Sequence, residues 1–219
     1  MALGLNVTIP FKERAAALAD QRTLAAERAG AANLLVFTPD GGISADNTDG
    51  VGLLAALGEA GFNALSPVVV LGAGGAARGA VLSLLQAGVP SVRVVNRSLE
   101  RARAIAALDG RVTALGWEEA RQALDGVAAV VNATSLGMTG QPPLDLVLDP
   151  APRTAVIMDM VYQPLKTALL VEAEQLGHPV ADGLSMLIGQ ARPSFEAFFE
   201  QPPPEVDVRR LCIQALGEG

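Results

Sequence analysis

Lys12, Asp49 and Tyr162 are the side chains in this sequence whose types suit proton transfer to an oxygen. A ketone reduced by hydride develops an alkoxide, and a lysine held beside a carboxylate can give it the proton it needs. Each of the three, taken singly, is more often a surface residue than a catalytic one. The chemistry therefore depends on a hydride donor, and residues 68–78 offer a place for one. Val-Val-Val-Leu at 68–71 reads as a strand buried on both faces, and it runs without a break into Gly-Ala-Gly-Gly-Ala-Ala-Arg, where a helical pattern begins. Gly72, Gly74 and Ala77 match a dinucleotide fingerprint. The first permits a tight turn, the second lets backbone approach a pyrophosphate, and the third is small enough for close packing of helix on strand. Unpaired N–H groups at the helix start would face the phosphates. A glycine-rich turn of another kind is the competing reading, weakened by the strand before the glycines and the helix after them.

The next strand, expected over 91–95, ends in Asn96, Arg97 and Ser98. A unit that prefers NAD places an acid there for the ribose 2′-hydroxyl. An arginine attracts and hydrogen-bonds a 2′-phosphate instead, and Arg101, about one turn on, adds a second donor; the expected cofactor is NADP(H). Solvated arginines in a helix's first turn are the alternative, and Ser98 also suits an N-cap. A further apolar strand over 127–131 meets Asn132, Ala133, Thr134 and Ser135, polar groups at a carboxyl end where a cofactor lies in such sheets. A turn that only caps the strand explains the same residues. Asp159, Met160, Val161 and Tyr162 repeat the arrangement after a strand over 154–158.

These side chains need a scaffold, and the pattern specifies one. Strands over 68–71, 91–95, 112–115, 127–131, 154–158 and 178–181 alternate with helices over 75–87, 98–107, 117–124 and 165–176, as in a parallel sheet covered on both faces. Upstream, Leu5, Val7 and Ile9 alternate with polar residues in a strand over 4–10, followed by helices over 13–19 and 24–29, the second stopped by Gly30. Strands over 33–37 and 43–47 flank a turn, and a helix runs over 51–60. Two helical patterns, 184–200 and 205–216, close the chain. The composition is 50% hydrophobic and 18% charged, that of a globular protein, and no apolar run is long enough to span a bilayer. Residues 1–6 lack the pattern of a secretory signal. Cys212 is the only cysteine and there is one histidine, which excludes an internal disulfide, leaves no metal-ligand cluster and points to the cytoplasm. A net charge of −7 without a basic run argues against nucleic acid as a partner.

Eight motifs in one order resemble the shikimate dehydrogenase family along nearly the whole chain. They are Asn-Val-Thr-Ile-Pro-Phe-Lys at 6–12, Gly-Ala-Ala-Asn at 30–33, Asn-Thr-Asp-Gly at 47–50, the glycine turn at 72–77, Asn-Arg-Ser at 96–98, Asn-Ala-Thr-Ser at 132–135, Asp-Met-Val-Tyr at 159–162 and Gly-Leu-Ser-Met-Leu-Ile-Gly-Gln at 183–190. The resemblance implies interconversion of 3-dehydroshikimate and shikimate with NADP(H), in the pathway to aromatic amino acids. It implies Lys12 as acid/base, Asp49 as its partner on the substrate hydroxyls, and Thr8, Asn33, Tyr162 and Gln190 around the substrate. It places the cofactor against Gly72, Ala73, Gly74, Gly75 and Ala76, against Asn96, Arg97, Ser98 and Arg101, and against Thr134, Met160 and Gly183.

The expected fold class is α/β: a Rossmann-type NADP domain over 51–183, and a smaller α/β substrate domain over 1–50 completed by C-terminal helices over 184–219. Two departures from the family pattern stand out. Asn33 lies between Ala32 and Leu34, where valine and threonine are usual. The chain also opens at the strand bearing Lys12, without the preceding βαβ unit whose Ser-x-Ser turn binds the substrate carboxylate. The expected substrate domain is thus truncated at its start and turnover is expected to be poor. The partner expected is the small-molecule substrate, neither nucleic acid nor membrane, with a homodimer left open. A catalytically impaired NADP-binding module and a quinate-type dehydrogenase are the competing readings.

Overall fold

The computed structural model describes residues 3–8 and 10–217. The N-terminal part forms β1 (Gly4–Asn6), α1 (Lys12–Leu18), β2 (Gln21–Arg22), α2 (Leu24–Ala29), β3 (Leu34–Phe37) and β4 (Ile43–Asp46). Its strands associate in the order β1–β3–β4–β2, with β1 and β4 antiparallel to β3 and β2 parallel to β4. The hairpin turn closes through Thr38 and Gly42, with Gly41 at φ 89°, a value that favours glycine. Gly30 ends α2 in the left-handed conformation, as expected, and Thr23 caps its start through Ala26 N–H. Ladder pairing of β1 stops at Asn6, short of the expected 4–10, and Ile9 lies outside the described residues. The two-residue β2 was not expected, because Gln21 and Arg22 are exposed and only backbone pairing defines the strand. Ala15, Ala16 and Ala26 pack the helices onto Ala32, Leu35 and Ala45.

The second part contains α3 (Asp49–Glu59), β5 (Val68–Leu71), α4 (Gly75–Gln86), β6 (Val92–Asn96), α5 (Leu99–Ala106) and β7 (Val112–Gly116). There follow a 3₁₀ turn (Trp117–Glu119), α6 (Ala120–Ala123), β8 (Ala129–Asn132), β9 (Val156–Asp159), α7 (Ala168–Gln175), β10 (Val180–Ala181), α8 (Gly183–Phe199) and α9 (Val208–Leu216). The helix expected over 117–124 divides in two because the Glu119 carboxylate reaches back to accept from Gly116 N–H at 2.9 Å and tightens the first turn.

The larger sheet has the order β10–β9–β8–β5–β6–β7, all parallel. Every residue of β5 is buried. Val68 and Val70 join Leu53, Leu57, Val81, Leu84 and Ile105 on one face, whereas Val69 and Leu71 join Leu124, Ile157, Leu169 and Leu170 on the other. Successive side chains of a strand point to opposite faces, so an unbroken apolar run is what a doubly covered strand requires. The chain crosses from β5 outward to β7 through α4 and α5, then returns to β8 on the other side of β5. Ligands bind at such a reversal, outside the carboxyl ends of the strands.

Candidate active site

Asn33 follows α2 and Gly30 at the entry to β3, where it is buried. Its Oδ1 accepts from Thr48 N–H at 2.8 Å, which fixes the amide the other way round for its donors. Nδ2 then faces Thr48 Oγ1 at 2.9 Å, Asp49 Oδ1 at 2.9 Å and Gln190 Oε1 at 2.8 Å. Thr48, also buried, passes its own proton to the Gln190 carbonyl at 2.8 Å. Asp49 is the first residue of α3, where the helix dipole favours an anion. Its second oxygen accepts from Lys12 Nζ at 2.6 Å, across from the start of α1. Both side chains of this pair are about a quarter exposed, 26% and 23%. A partly exposed ion pair contributes roughly 0–1 kcal/mol to stability, so its placement is better explained by what it presents to the cleft than by what it adds to the fold.

Two helix interiors meet to make this possible. Gly52 of α3 lies against Met186 and Gln190 of α8, and Gly189 of α8 lies against Gly52 and Ala55. Side chains at these positions would hold the helices apart, and Gln190 would not reach Asn33. The same helix is tied to β1, where Asn6 Nδ2 donates to the buried Ser194 hydroxyl at 2.7 Å. At its start Asp182 caps α8 through Ser185 N–H at 2.8 Å and takes both Arg209 terminal nitrogens from α9. Burial pushes the Asp182 carboxyl up, but the Arg209 and Ser185 bonds outweigh it and hold it below the usual range.

Thr8, Lys12, Asn33, Asp49, Met160, Tyr162, Gly183 and Gln190 line one cleft of about 440 Å³, the lysine cleft. The structure thus brings every expected substrate residue together with both expected catalytic ones. A Cβ on Gly183 would sit 2.5 Å from the Met160 carbonyl, so only glycine lets α8 start this close to the loop after β9.

A second cleft of about 250 Å³, the glycine cleft, lies at the reversal between β5 and β8 and is lined by Gly72, Ala73, Gly74, Asn96, Arg97, Arg101 and Thr134. Gly72 has φ 104°, and a Cβ there would press on Thr134 Cγ2 at 3.0 Å and the Ala133 carbonyl at 3.2 Å. No side chain caps α4, so its first N–H groups point toward this turn unpaired by a cap. Neither Arg97 nor Arg101 forms an ion pair among the described residues. A wider cleft of about 820 Å³ joins the two regions, lined by Lys12 and Asp49 on one side and Gly74, Gly75, Ala76, Arg78 and Arg101 on the other. Ser98 lines none of the three; it caps α5 through Arg101 N–H at 3.4 Å.

Sequence reasoning gave no role to Trp117, which lines the glycine cleft, although its place just after β7, at a carboxyl end, was a usable signal. It also gave none to Thr48, Asn6 and Ser194, whose polarity means something only once they are known to be in contact. Gly52 and Gly189 inside helical patterns were the sign of a close crossing.

A family described as the shikimate dehydrogenase substrate binding domain matches residues 1–35, and one described as shikimate / quinate 5-dehydrogenase matches residues 57–138. The shikimate dehydrogenase (NADP(+)) of Caulobacter vibrioides strain NA1000 / CB15N is 53% identical over 222 residues, covering 98% of this chain and 77% of that protein. The enzyme of the same description from Dinoroseobacter shibae is 50% identical, covering 95% and 78%. Among solved structures, quinate dehydrogenase from Corynebacterium glutamicum in complex with NAD superposes with a TM-score of 0.87 at 30% identity, over 98% of this chain and 78% of that one. Shikimate 5-dehydrogenase from Thermus thermophilus in complex with NADP(H) and shikimate superposes with a TM-score of 0.81 at 36% identity, over 92% and 75%. Sharing half its residues with such enzymes across nearly its full length, and folded as they are, this chain belongs to the shikimate dehydrogenase family.

Proposed function

We propose that the chain interconverts 3-dehydroshikimate and shikimate with NADP(H). The observation that carries the proposal is the Lys12–Asp49 pair, at 2.6 Å, on the wall of a cleft that continues to the glycine turn. The residues present fit the cofactor: Gly72 cannot carry a Cβ without pressing on its neighbours, α4 starts uncapped, and Arg97 with Arg101 offers two cations to a 2′-phosphate. When bound, NADPH supplies a hydride to the carbonyl carbon. Lys12 Nζ gives its proton to the carbonyl oxygen as the alkoxide forms, and in the reverse direction takes it from the hydroxyl. Asp49 holds Nζ in place and, anchored by Asn33, keeps that direction fixed. Thr8, Tyr162 and Gln190 supply hydroxyl and amide groups for the remaining substrate oxygens.

In this reading residues 1–50 with the helices of 184–219 form the substrate domain and residues 51–183 the NADP domain, in support of which the smaller sheet falls within the first span and the larger within the second. The proposal extends to a cytoplasmic location in aromatic amino-acid biosynthesis; no helix among the described residues is long and apolar enough to cross a membrane. It extends also to a homodimer, which light scattering tests. The deciding experiment is reduction of NADP+ by the purified chain with shikimate or quinate. Turnover of shikimate supports the proposal, preference for quinate redirects it to a quinate-type enzyme, and turnover of neither overturns it.

A further inference from the structure

β9 ends in Asp159, whose carboxylate is buried without a lysine or arginine partner among the described residues. Burial pushes this carboxyl above its usual range, against the pull of bonds from Thr167, Val161 and Asn132. A buried carboxylate costs more than an apolar residue of its size, so the group calls for a reason other than stability. The reason lies in what each oxygen holds.

Oδ1 accepts from Asn132 Nδ2 at 2.9 Å and from Val161 N–H at 3.0 Å, and Oδ2 accepts from the Thr167 hydroxyl at 2.7 Å. Because Nδ2 of Asn132 must face this carboxylate, its Oδ1 turns the other way. There it accepts from Thr134 N–H at 3.0 Å and Thr134 Oγ1 at 2.7 Å. Thr134 Oγ1 in turn accepts from Leu136 N–H at 3.1 Å. Thr134 and Leu136 line the glycine cleft, whereas Met160 and Tyr162, on either side of Val161, line the lysine cleft. We infer that Asp159 is a positioning residue that sets the cofactor-side wall and the substrate-side wall of the site from one buried carboxylate. Capping α7 through Thr167 needs only Oδ2; the bonds of Oδ1 serve the two loops.

The inference rests on the proposed function for its kinetic consequences, but not for its structural ones, so the test has two arms. In Asp159→Asn the Oδ1 position keeps an oxygen but a neutral one, so amide exchange at Thr134, Leu136 and Val161 should accelerate together by roughly tenfold, the effect of exchanging a charged acceptor for a neutral one. NADPH Kd and shikimate KM should rise together by a similar factor. Thr167→Val, which removes only the Oδ2 partner, should lower the melting temperature while the three amides and both constants hold. Should Asp159→Asn fail to fold, Asn132→Ala serves: Thr134 and Leu136 should lose protection while Val161 keeps it. Loss of protection at one loop only in Asp159→Asn, an equal response in Thr167→Val, or equal loss at all three amides in Asn132→Ala would overturn the inference. Absence of shikimate turnover in the unmutated chain, beside the expected exchange pattern, would overturn the functional reading alone.

Discussion

Gly52→Ala tests whether the crossing of α3 and α8 builds the site. The added methyl would meet Gln190 Cβ at 2.8 Å, Gln190 N at 2.9 Å and, closer still, the Met186 carbonyl oxygen. Carbon atoms rest about 3.5–4.0 Å apart, so the helices must part by roughly 1 Å. Backbone lies on both sides of the contact and no rotamer change relieves it, which places the penalty toward the top of the usual 1–3 kcal/mol or so for overpacking. Replacing glycine by alanine in a helix returns about 1 kcal/mol, leaving a net loss of about 1–2 kcal/mol. Two other glycines calibrate this figure. Gly58, exposed near the end of the same helix with nothing near its Cβ, should give an alanine variant up to about 1 kcal/mol more stable than the parent. Gly189, whose Cβ would lie 3.1 Å from Gly52 Cα and 3.3 Å from Ala55 Cβ, should fall between. Urea unfolding should therefore rank Gly58→Ala, Gly189→Ala and Gly52→Ala in descending stability. Because the displaced residue is Gln190, Gly52→Ala should also raise shikimate KM while NADPH binding holds. A Gly52→Ala protein as stable as Gly58→Ala, or one destabilised with KM unchanged, would refute the argument that this contact sets the site.

Three further changes have defined outcomes. Lys12→Ala should lower kcat by roughly 10²–10⁴ with NADPH affinity nearly unchanged, measured by steady-state kinetics and cofactor titration; undiminished turnover would remove Lys12 from the mechanism. Arg97→Asp should cost NADPH binding about 2–3 kcal/mol relative to NADH, since a charge-assisted bond is lost and a like charge introduced, and an unchanged ratio of the two dissociation constants would exclude a 2′-phosphate contact. His178 is buried with neither ring nitrogen in hydrogen-bond geometry among the described residues, and burial, with the Arg153 charge, holds its pKa below the ordinary value against the opposing backbone of Ala155 and Pro152. The folded protein thus favours the neutral imidazole more than the unfolded chain does. Its stability should be flat above about pH 7 and fall, by up to about 1.4 kcal/mol per pH unit, as the pH drops below the unfolded value near 6.5; His178→Leu should flatten that slope in urea titrations.

The larger sheet was legible because its central strands are continuous apolar runs, and β5, β8 and β9 fall within two residues of the expected bounds. β2 was not, since an exposed Gln-Arg pair carries no apolar period and exists as a strand only through β4. At the site, residue types were readable while their connections were not. Lys12 and Asp49 could be singled out as a proton donor and a carboxylate, but the hydrogen bond that aims Asp49 comes from Asn33, which Thr48 N–H orients and which also donates to Gln190, 157 residues away. No local pattern encodes a contact of that separation. The glycines that permit it do leave a local trace, because a helix interior gains nothing from glycine except closeness.

Two buried polar nodes, Asn33 and Asp159, stand at strand ends on opposite sides of the cleft, and they do comparable work by different means. Asn33 is neutral and fully bonded, with Thr48 N–H on its oxygen and two protons shared among three acceptors, so burial costs it little. Asp159 is acidic and draws on neutral donors alone, so its burial is the more costly. The neutral node suffices where a single side chain, Asp49, must be aimed and its charge is already answered by Lys12. On the other side two backbone loops must be drawn to one point, and a carboxylate oxygen accepting from both Asn132 Nδ2 and Val161 N–H meets that demand. An amide at position 159 keeps an acceptor oxygen for Asn132 and Val161 but a neutral one, which weakens both bonds, and it also turns an N–H₂ toward the Thr167 hydroxyl. For a related reason Asn33→Asp is the more damaging exchange at the other node: it would bury a carboxylate within hydrogen-bond distance of the Asp49 carboxylate and leave Gln190 Oε1 with only the long 3.4 Å bond from the Thr48 hydroxyl.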